Sequence, residues 1–221
     1  MSSDAKILEK SNHALGVFTK IAAQLRSEII LTGCAGHAGT IPASLRNDPL
    51  PVASEMILAV NQMCKSDELI RSTVGHLEVI PNASNVIPGT VKFSIDMRYP
   101  DLKGLRRVHN KLSQEIKSIA KRSDLKFEYK LVHEASDAQL DQRLTDILAE
   151  SCEVMQGSSP RMFSGAGHDS MKLAQVCPAS MLAVRCKDGL SHHPDEFASN
   201  ADCILAFEAM LRAVLRIDKI F

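Results

Sequence analysis

Residues 90–98, TVKFSIDMR, alternate without a break. Val91, Phe93, Ile95 and Met97 fall on one face of an extended chain, and Lys92, Ser94, Asp96 and Arg98 on the other. A period of two over nine residues demands a strand with one buried face. Such a strand needs partners for its backbone groups and a cover for its apolar side. The flanking sequence supplies both. SEIILT (27–32) reads as a short buried strand, STVGHLEVI (72–80) as a β-rich run, and LKFEYKL (125–131) alternates again. Two helical patterns lie between. Asp48 then Pro49 has the form of an N-cap and a proline at the first helical position, with Val52, Met56, Val60 and Met63 at helical spacing behind them. Leu105, Val108, Leu112, Ile116 and Ile119 mark a long amphipathic helix. The order β-α-β-β-α-β over 27–133 is that of the ferredoxin-like split motif, an antiparallel four-stranded sheet with two helices on one face.

HEASDAQ (133–139) reads as a polar linker, and beyond it the pattern changes. A helix is expected near 140–156, a glycine-rich turn at 164–167, a buried strand at ASMLAVR (179–185), and a last helix with Ile204, Phe207, Leu211 and Val214 facing inward. One or two strands cannot close an α/β domain, because an isolated strand leaves its backbone groups unpaired. The expected class is α+β: a complete split-motif domain followed by an incomplete α/β segment.

Composition excludes several partners. The 221 residues carry 26 Lys plus Arg against 26 Asp plus Glu, so no net charge draws the chain to nucleic acid or to an anionic membrane. Trp is absent and aromatics are 4%, which disfavours base stacking. No apolar run approaches the ~18–20 residues of a membrane span, and no basic segment followed by an apolar one opens the chain. Cys34, Cys64, Cys152, Cys177, Cys186 and Cys203 are scattered with no C-x-x-C, the usage of reduced thiols in a cytoplasmic compartment.

Five short stretches carry possible chemistry. GCAGHAGT (33–40) leaves the first strand with glycines that allow close backbone approach; His37 is either a donor to an anion or an exposed turn histidine. NASNVIPG (82–89) makes a turn, and Asn85 can also offer its amide to a carboxylate or a ureido group. Asp96-x-Arg98 is either a surface ion pair or a planar fork for a carboxylate. SGAGHD (164–169) offers the backbone N–H groups of Gly165, Ala166 and Gly167 at a turn into a helix. GLSHH (189–193) presents two imidazoles suited to zinc, and the residues alone leave His192 and His193 open.

In their order, GCAGHAGTIPASLRNDP, NASNVIPG, DMR, SGAGHDSM and DGLSHHPDE resemble the zinc-dependent amidohydrolase family of allantoate amidohydrolase and N-carbamoyl-L-amino-acid hydrolase, within the aminoacylase-type dinuclear metallopeptidases. The resemblance implies a remnant of a catalytic domain at 1–26, a lid and dimerisation domain at 27–133, and the end of the catalytic domain at 134–221. It implies that His192 is a metal ligand, that His37 contacts substrate and polarises the scissile group, and that Asn85 and Arg98 grip the substrate carboxylate. It places Gly165, Ala166 and Gly167 along the substrate pocket. The cofactor implied is zinc, with manganese suited to the same ligand types. The implied partners are a small ureido carboxylate and either a second copy, bound through the lid, or a missing N-terminal half. In that family dimer, lid residues can serve the neighbouring subunit.

The family's other metal ligands (a His, a bridging Asp, a Glu and a second His) and its acidic general base have no counterpart here. The expected function is therefore hydrolysis of linear amide or ureido C–N bonds by ancestry, with the isolated chain inactive. An N-carbamoyl-L-amino-acid hydrolase is one alternative, and a non-catalytic dimerisation protein is another.

Overall fold

The computed structural model describes residues 3–220. The chain forms two compact units: a continuous one from Ala23 to Ser136, and a split one made of the residues up to Ala22 together with those from Asp137 onward. The expected boundaries at 27 and 133 fall inside the first and last strands of the continuous unit.

Helix α1 (Ser3–Ser11) and strand β1 (Leu15–Ile21) open the chain. The continuous unit then runs through β2 (Ala23–Thr32), β3 (Gly36–His37), α2 (Pro49–Lys65), β4 (Arg71–Thr73), β5 (Leu77–Ile80), β6 (Val86–Ile87), β7 (Thr90–Tyr99), α3 (Leu102–Lys121) and β8 (Lys126–Ala135). Its main sheet has the order β4-β7-β2-β8, all antiparallel, with β5 also paired to β7. STVGHLEVI is thus two short strands on one partner, interrupted at Val74–His76. The alternation in β7 is realised fully: Val91, Phe93, Ile95 and Met97 are buried. They pack with Leu25, Ile29 and Leu31 of β2, Met56, Val60 and Met63 of α2, and Leu105, Leu112 and Ile116 of α3. Both helices start at side-chain caps, Asp48 accepting from Leu50 N–H at 2.9 Å and Asp101 from Gly104 N–H at 2.7 Å. Gly33 follows β2 where a Cβ would lie 2.0 Å from the Asn47 carbonyl oxygen, so only glycine fits.

The expected linker at 133–139 is mostly strand. His133, Glu134 and Ala135 stay paired with Arg26, Leu25 and Gln24 beyond a bulge at Arg26/Ser27. β8 is an edge strand, and edge strands carry charge on exposed positions, which gives them a linker's composition. Beneath α3 lies a polar triangle. His109 Nε2 sits 2.8 Å from the Tyr129 hydroxyl and 3.1 Å from the buried Ser27 hydroxyl, and the two hydroxyls are 3.2 Å apart. Burial pushes the His109 pKa down and the Tyr129 pKa up.

The split unit adds β9 (Ala138–Gln139), α4 (Gln142–Gln156), β10 (Arg161–Ser164), α5 (Ser170–Leu173), β11 (Met181–Val184) and α6 (Asn200–Ile217). Its sheet has the order β10-β1-β11, with β9 paired to β1. Three strands, β9, β10 and β11, stand where one or two were expected, and β1 adds a fourth from before the continuous unit. In β1, which the sequence reading did not mark, Leu15, Gly16, Val17 and Phe18 are all buried, so no alternation signals it. β11 is half-buried rather than buried.

The expected inward face of α6 is corrected. Ile204, Phe207, Leu211 and Val214 are 58%, 69%, 47% and 53% exposed. The packed face uses Leu205, Ala206, Ala209, Ala213 and Ile217 against Ile147, Leu148 and Cys152 of α4 and Leu15 and Val17 of β1. Small residues let α6 approach closely, whereas a reading of the largest apolar residues selects the opposite side. No described helix is long and apolar enough to cross a membrane.

Candidate functional site

The glycine-bearing segment after β2 turns back on itself. β3 pairs antiparallel with β6, Gly36 opposite Ile87 and His37 opposite Val86, and Ala38 N–H donates to the Asn85 carbonyl at 3.0 Å. His37 and Asn85 are thereby brought together, both exposed, in one ribbon of the continuous unit. His37 Nδ1 accepts from Gly39 N–H at 3.1 Å. An imidazole with Nδ1 as acceptor carries its proton on Nε2 when neutral, so His37 presents an N–H donor to its surroundings. Arg46, which the sequence did not single out, clasps the segment by donating to the Ala38 carbonyl at 2.6 Å and the Ile41 carbonyl at 2.9 Å. No spacing rule signals that role.

Arg98 lies at the other end of β7. Eight residues separate it from Thr90, and at ~3.3 Å per residue that is ~26 Å along the strand. The fold therefore joins His37 to Asn85 and keeps Arg98 apart from both within one copy. Around Arg98 the sheet's polar face holds a network. Asp96 accepts from Arg98 Nε at 2.8 Å, Arg26 Nε at 3.0 Å and Gln24 Nε2 at 2.5 Å. Burial alone would raise the Asp96 pKa, but the hydrogen bond and charge of Arg98, joined by Arg26 and Gln24, outweigh it and hold the carboxyl below its usual range. Sequence reasoning found Asp96 and Arg98; Gln24 and Arg26 were legible only once the β2–β7 register was known.

In the split unit, Gly165, Ala166 and Gly167 form the turn between β10 and α5. The buried Ser164 hydroxyl organises it: its Oγ accepts from Ala166 N–H at 3.1 Å and lies 2.8 Å from His168 Nε2. The His168 ring sits 6.1 Å from that of Phe18. α5 has only four residues, so it offers little of a helix dipole. His192 adopts a left-handed backbone, φ 57°, and its N–H donates to Glu196 Oε2 at 2.9 Å. His193 Nδ1 instead accepts from Asp195 N–H at 3.1 Å. Among the described residues no three His, Cys, Asp or Glu side chains come together as a metal site needs. The described side chains around His192 therefore do not by themselves fit a metal centre.

The chain is 34% identical over 211 residues to the N-carbamoyl-L-amino-acid amidohydrolase of Pseudomonas sp. (strain NS671), covering 95% of this chain and 51% of that protein. It is 34% identical over 232 residues to allantoate deiminase 2 of Glycine max, covering 93% and 48%. A crystal structure of a hydantoinase/carbamoylase family amidase from Burkholderia vietnamiensis superposes with a TM-score of 0.88 at 34% identity, over 95% of this chain and 51% of that one. The chain spans about half the length of the curated relatives it matches. The model of Peptidase family M20/M25/M40, a generally metal-dependent family, matches residues 8–216, and the chain belongs to that family.

Proposed function

We propose that this chain serves the hydrolysis of a C–N bond in a small ureido or amido carboxylate, of the kind found in allantoate, ureidoglycolate and N-carbamoyl amino acids, and that it does so as a homodimer through the continuous unit, its lid. The observation that carries the reading is that the His37–Asn85 ribbon precedes β7 at its Thr90 end, whereas Arg98 lies ~26 Å from Thr90 along that strand. No ligand of that size spans it. If all three residues act on one substrate, His37 and Asn85 come from one copy and Arg98 from another.

The roles follow from the chemistry of each group. Arg98 pairs with the substrate carboxylate as a planar fork. The Asn85 amide donates to a second polar group of the substrate. His37 directs Nε2–H at the carbonyl oxygen on which negative charge develops. Gly165, Ala166 and Gly167 are further substrate-binding positions in this reading, on the turn between β10 and α5. His192 is the one metal ligand this reading assigns to the described residues, so the other ligands and the nucleophile are assigned to a second polypeptide.

The test pairs this chain with a co-expressed polypeptide spanning the unmatched half of the Pseudomonas relative, and follows ammonia and amino-acid release from allantoate and N-carbamoyl amino acids. His37→Ala and Arg98→Ala chains are each expected to abolish turnover. Mixed at equal amounts they are expected to regain about a quarter of wild-type activity, because half the dimers then hold one intact site of two. A monomer in sedimentation, or no recovery in the mixture, would sink the shared-site reading.

A further inference from the structure

Register places Arg71, Arg98 and Gln24 on one rung of the polar sheet face, and Thr73, Asp96, Arg26 and His133 on the next. Asp96 is the one carboxylate on these two rungs. Oδ1 accepts from Arg98 Nε at 2.8 Å; Oδ2 accepts from Arg98 Nη2 at 3.3 Å, Arg26 Nε at 3.0 Å and Gln24 Nε2 at 2.5 Å. Arg71 is turned aside, donating to the carbonyls of Glu68 and Ile70. The guanidinium groups of Arg98 and Arg26 meet on the one Asp96 carboxylate, and the acid fixes their geometry. The Asp96 and Arg98 side chains are 29% and 28% exposed, shielded enough for that geometry to persist in water and open enough to meet a ligand.

We propose that Asp96 is a positioning residue for Arg98: it splints the guanidinium along its Nε–Nη2 edge, and Gln24 and Arg26 hold the carboxylate from the neighbouring strand. The proposal rests on the reading above, in which Arg98 takes the substrate carboxylate. An arginine side chain has four rotatable bonds, and ordering it at the moment of binding subtracts from affinity. Asp96 removes that cost beforehand, with two strands rather than one flexible loop as the support.

The experiment uses the ¹⁵N-labelled chain and the arginine side-chain region of its NMR spectrum, with the Arg98 Nε–H resonance identified by Arg98→Lys. Asp96→Asn is expected to speed exchange of that proton with water about tenfold, the scale of one charge-assisted hydrogen bond. Gln24→Ala, which leaves the acid but loosens it, is expected to speed it about threefold. Backbone amide protection of β2 and β7 should stay unchanged in both; if Asp96→Asn unfolds the sheet, Gln24→Ala alone decides. Unaltered Arg98 exchange in a folded variant overturns the positioning role. A second arm titrates N-carbamoylglycine against urea. The carboxylate ligand is expected to shift the Arg98 signal in the wild type, with about fivefold weaker binding in Asp96→Asn, and urea is expected to leave it in place. A wild-type Arg98 signal that ignores N-carbamoylglycine overturns the carboxylate reading while leaving the exchange result standing, so the two fail separately.

Discussion

His109 is the residue whose surroundings make the clearest demand. Burial beneath α3 lowers its pKa from the ordinary 6.5, with a smaller push from Lys117 and opposing pulls from Asn110 and Glu134. A depressed histidine pKa means that the folded state favours the neutral ring. Above 6.5 both folded and unfolded chains are neutral at this position. As the pH falls below 6.5 the unfolded chain takes up a proton that the folded chain refuses, so stability declines until the lowered folded value is reached. The continuous unit is therefore expected to melt at lower temperature at pH 5.5 than at pH 7.5, and His109→Gln is expected to flatten that part of the profile, as read by circular dichroism. An equal slope in the variant would show that another group dominates. Gly33 makes a steric demand of comparable weight. Gly33→Ala pushes a Cβ onto the Asn47 carbonyl and is expected to cost about 1–3 kcal/mol in urea denaturation, since backbone there cannot yield as a side-chain tip would.

At the scale of elements, the continuous unit was largely legible in the sequence and the split unit was not. Alternation in β7, helical spacing in α2 and α3, and the Asp48 cap all rest on local rules that survive in the fold, whereas β8 is a strand whose burial does not alternate. Phe93→Ala is accordingly expected to destabilise this unit by about 3–5 kcal/mol, and Asp48→Ala by about 1 kcal/mol, both read from denaturant midpoints. β1 escaped notice because a central strand buried on both faces has no polar beat. α6 misled because it is apolar on more than one side, and only its contacts with α4 show that alanines make the closer seam. The candidate site divides in the same way. His37, Asn85 and Arg98 stood out as residue types at strand ends, but the β3–β6 pairing that joins the first two is a matter of register, which no single stretch encodes. Gln24 and Arg26 sit 70 or more positions from Asp96 in sequence and meet it only across the β2–β7 ladder.

Across the whole molecule, apolar surface is unevenly shared. Ile204, Phe207, Leu211, Val214 and Leu215 form an exposed stripe on α6, and Val154 on α4 is exposed too. Contiguous apolar area of this kind favours association. Phe207→Glu combined with Leu211→Glu is expected to reduce concentration-dependent scattering while leaving the far-ultraviolet spectrum unchanged; equal scattering would acquit the stripe. The interrupted make-up of the split unit has a different consequence, one of time. The centre of its sheet, β1, is synthesised before the continuous unit, whereas β10 and β11 come after it. From Asp137 to Val184 there are 48 residues, which take roughly 2–10 s to translate at ~5–20 residues per second. The continuous unit, with all its strands already synthesised, is free to fold as it emerges during that interval. β1 must wait, its Leu15, Val17 and Ile21 without their mates, until the ribosome delivers the strands that flank it.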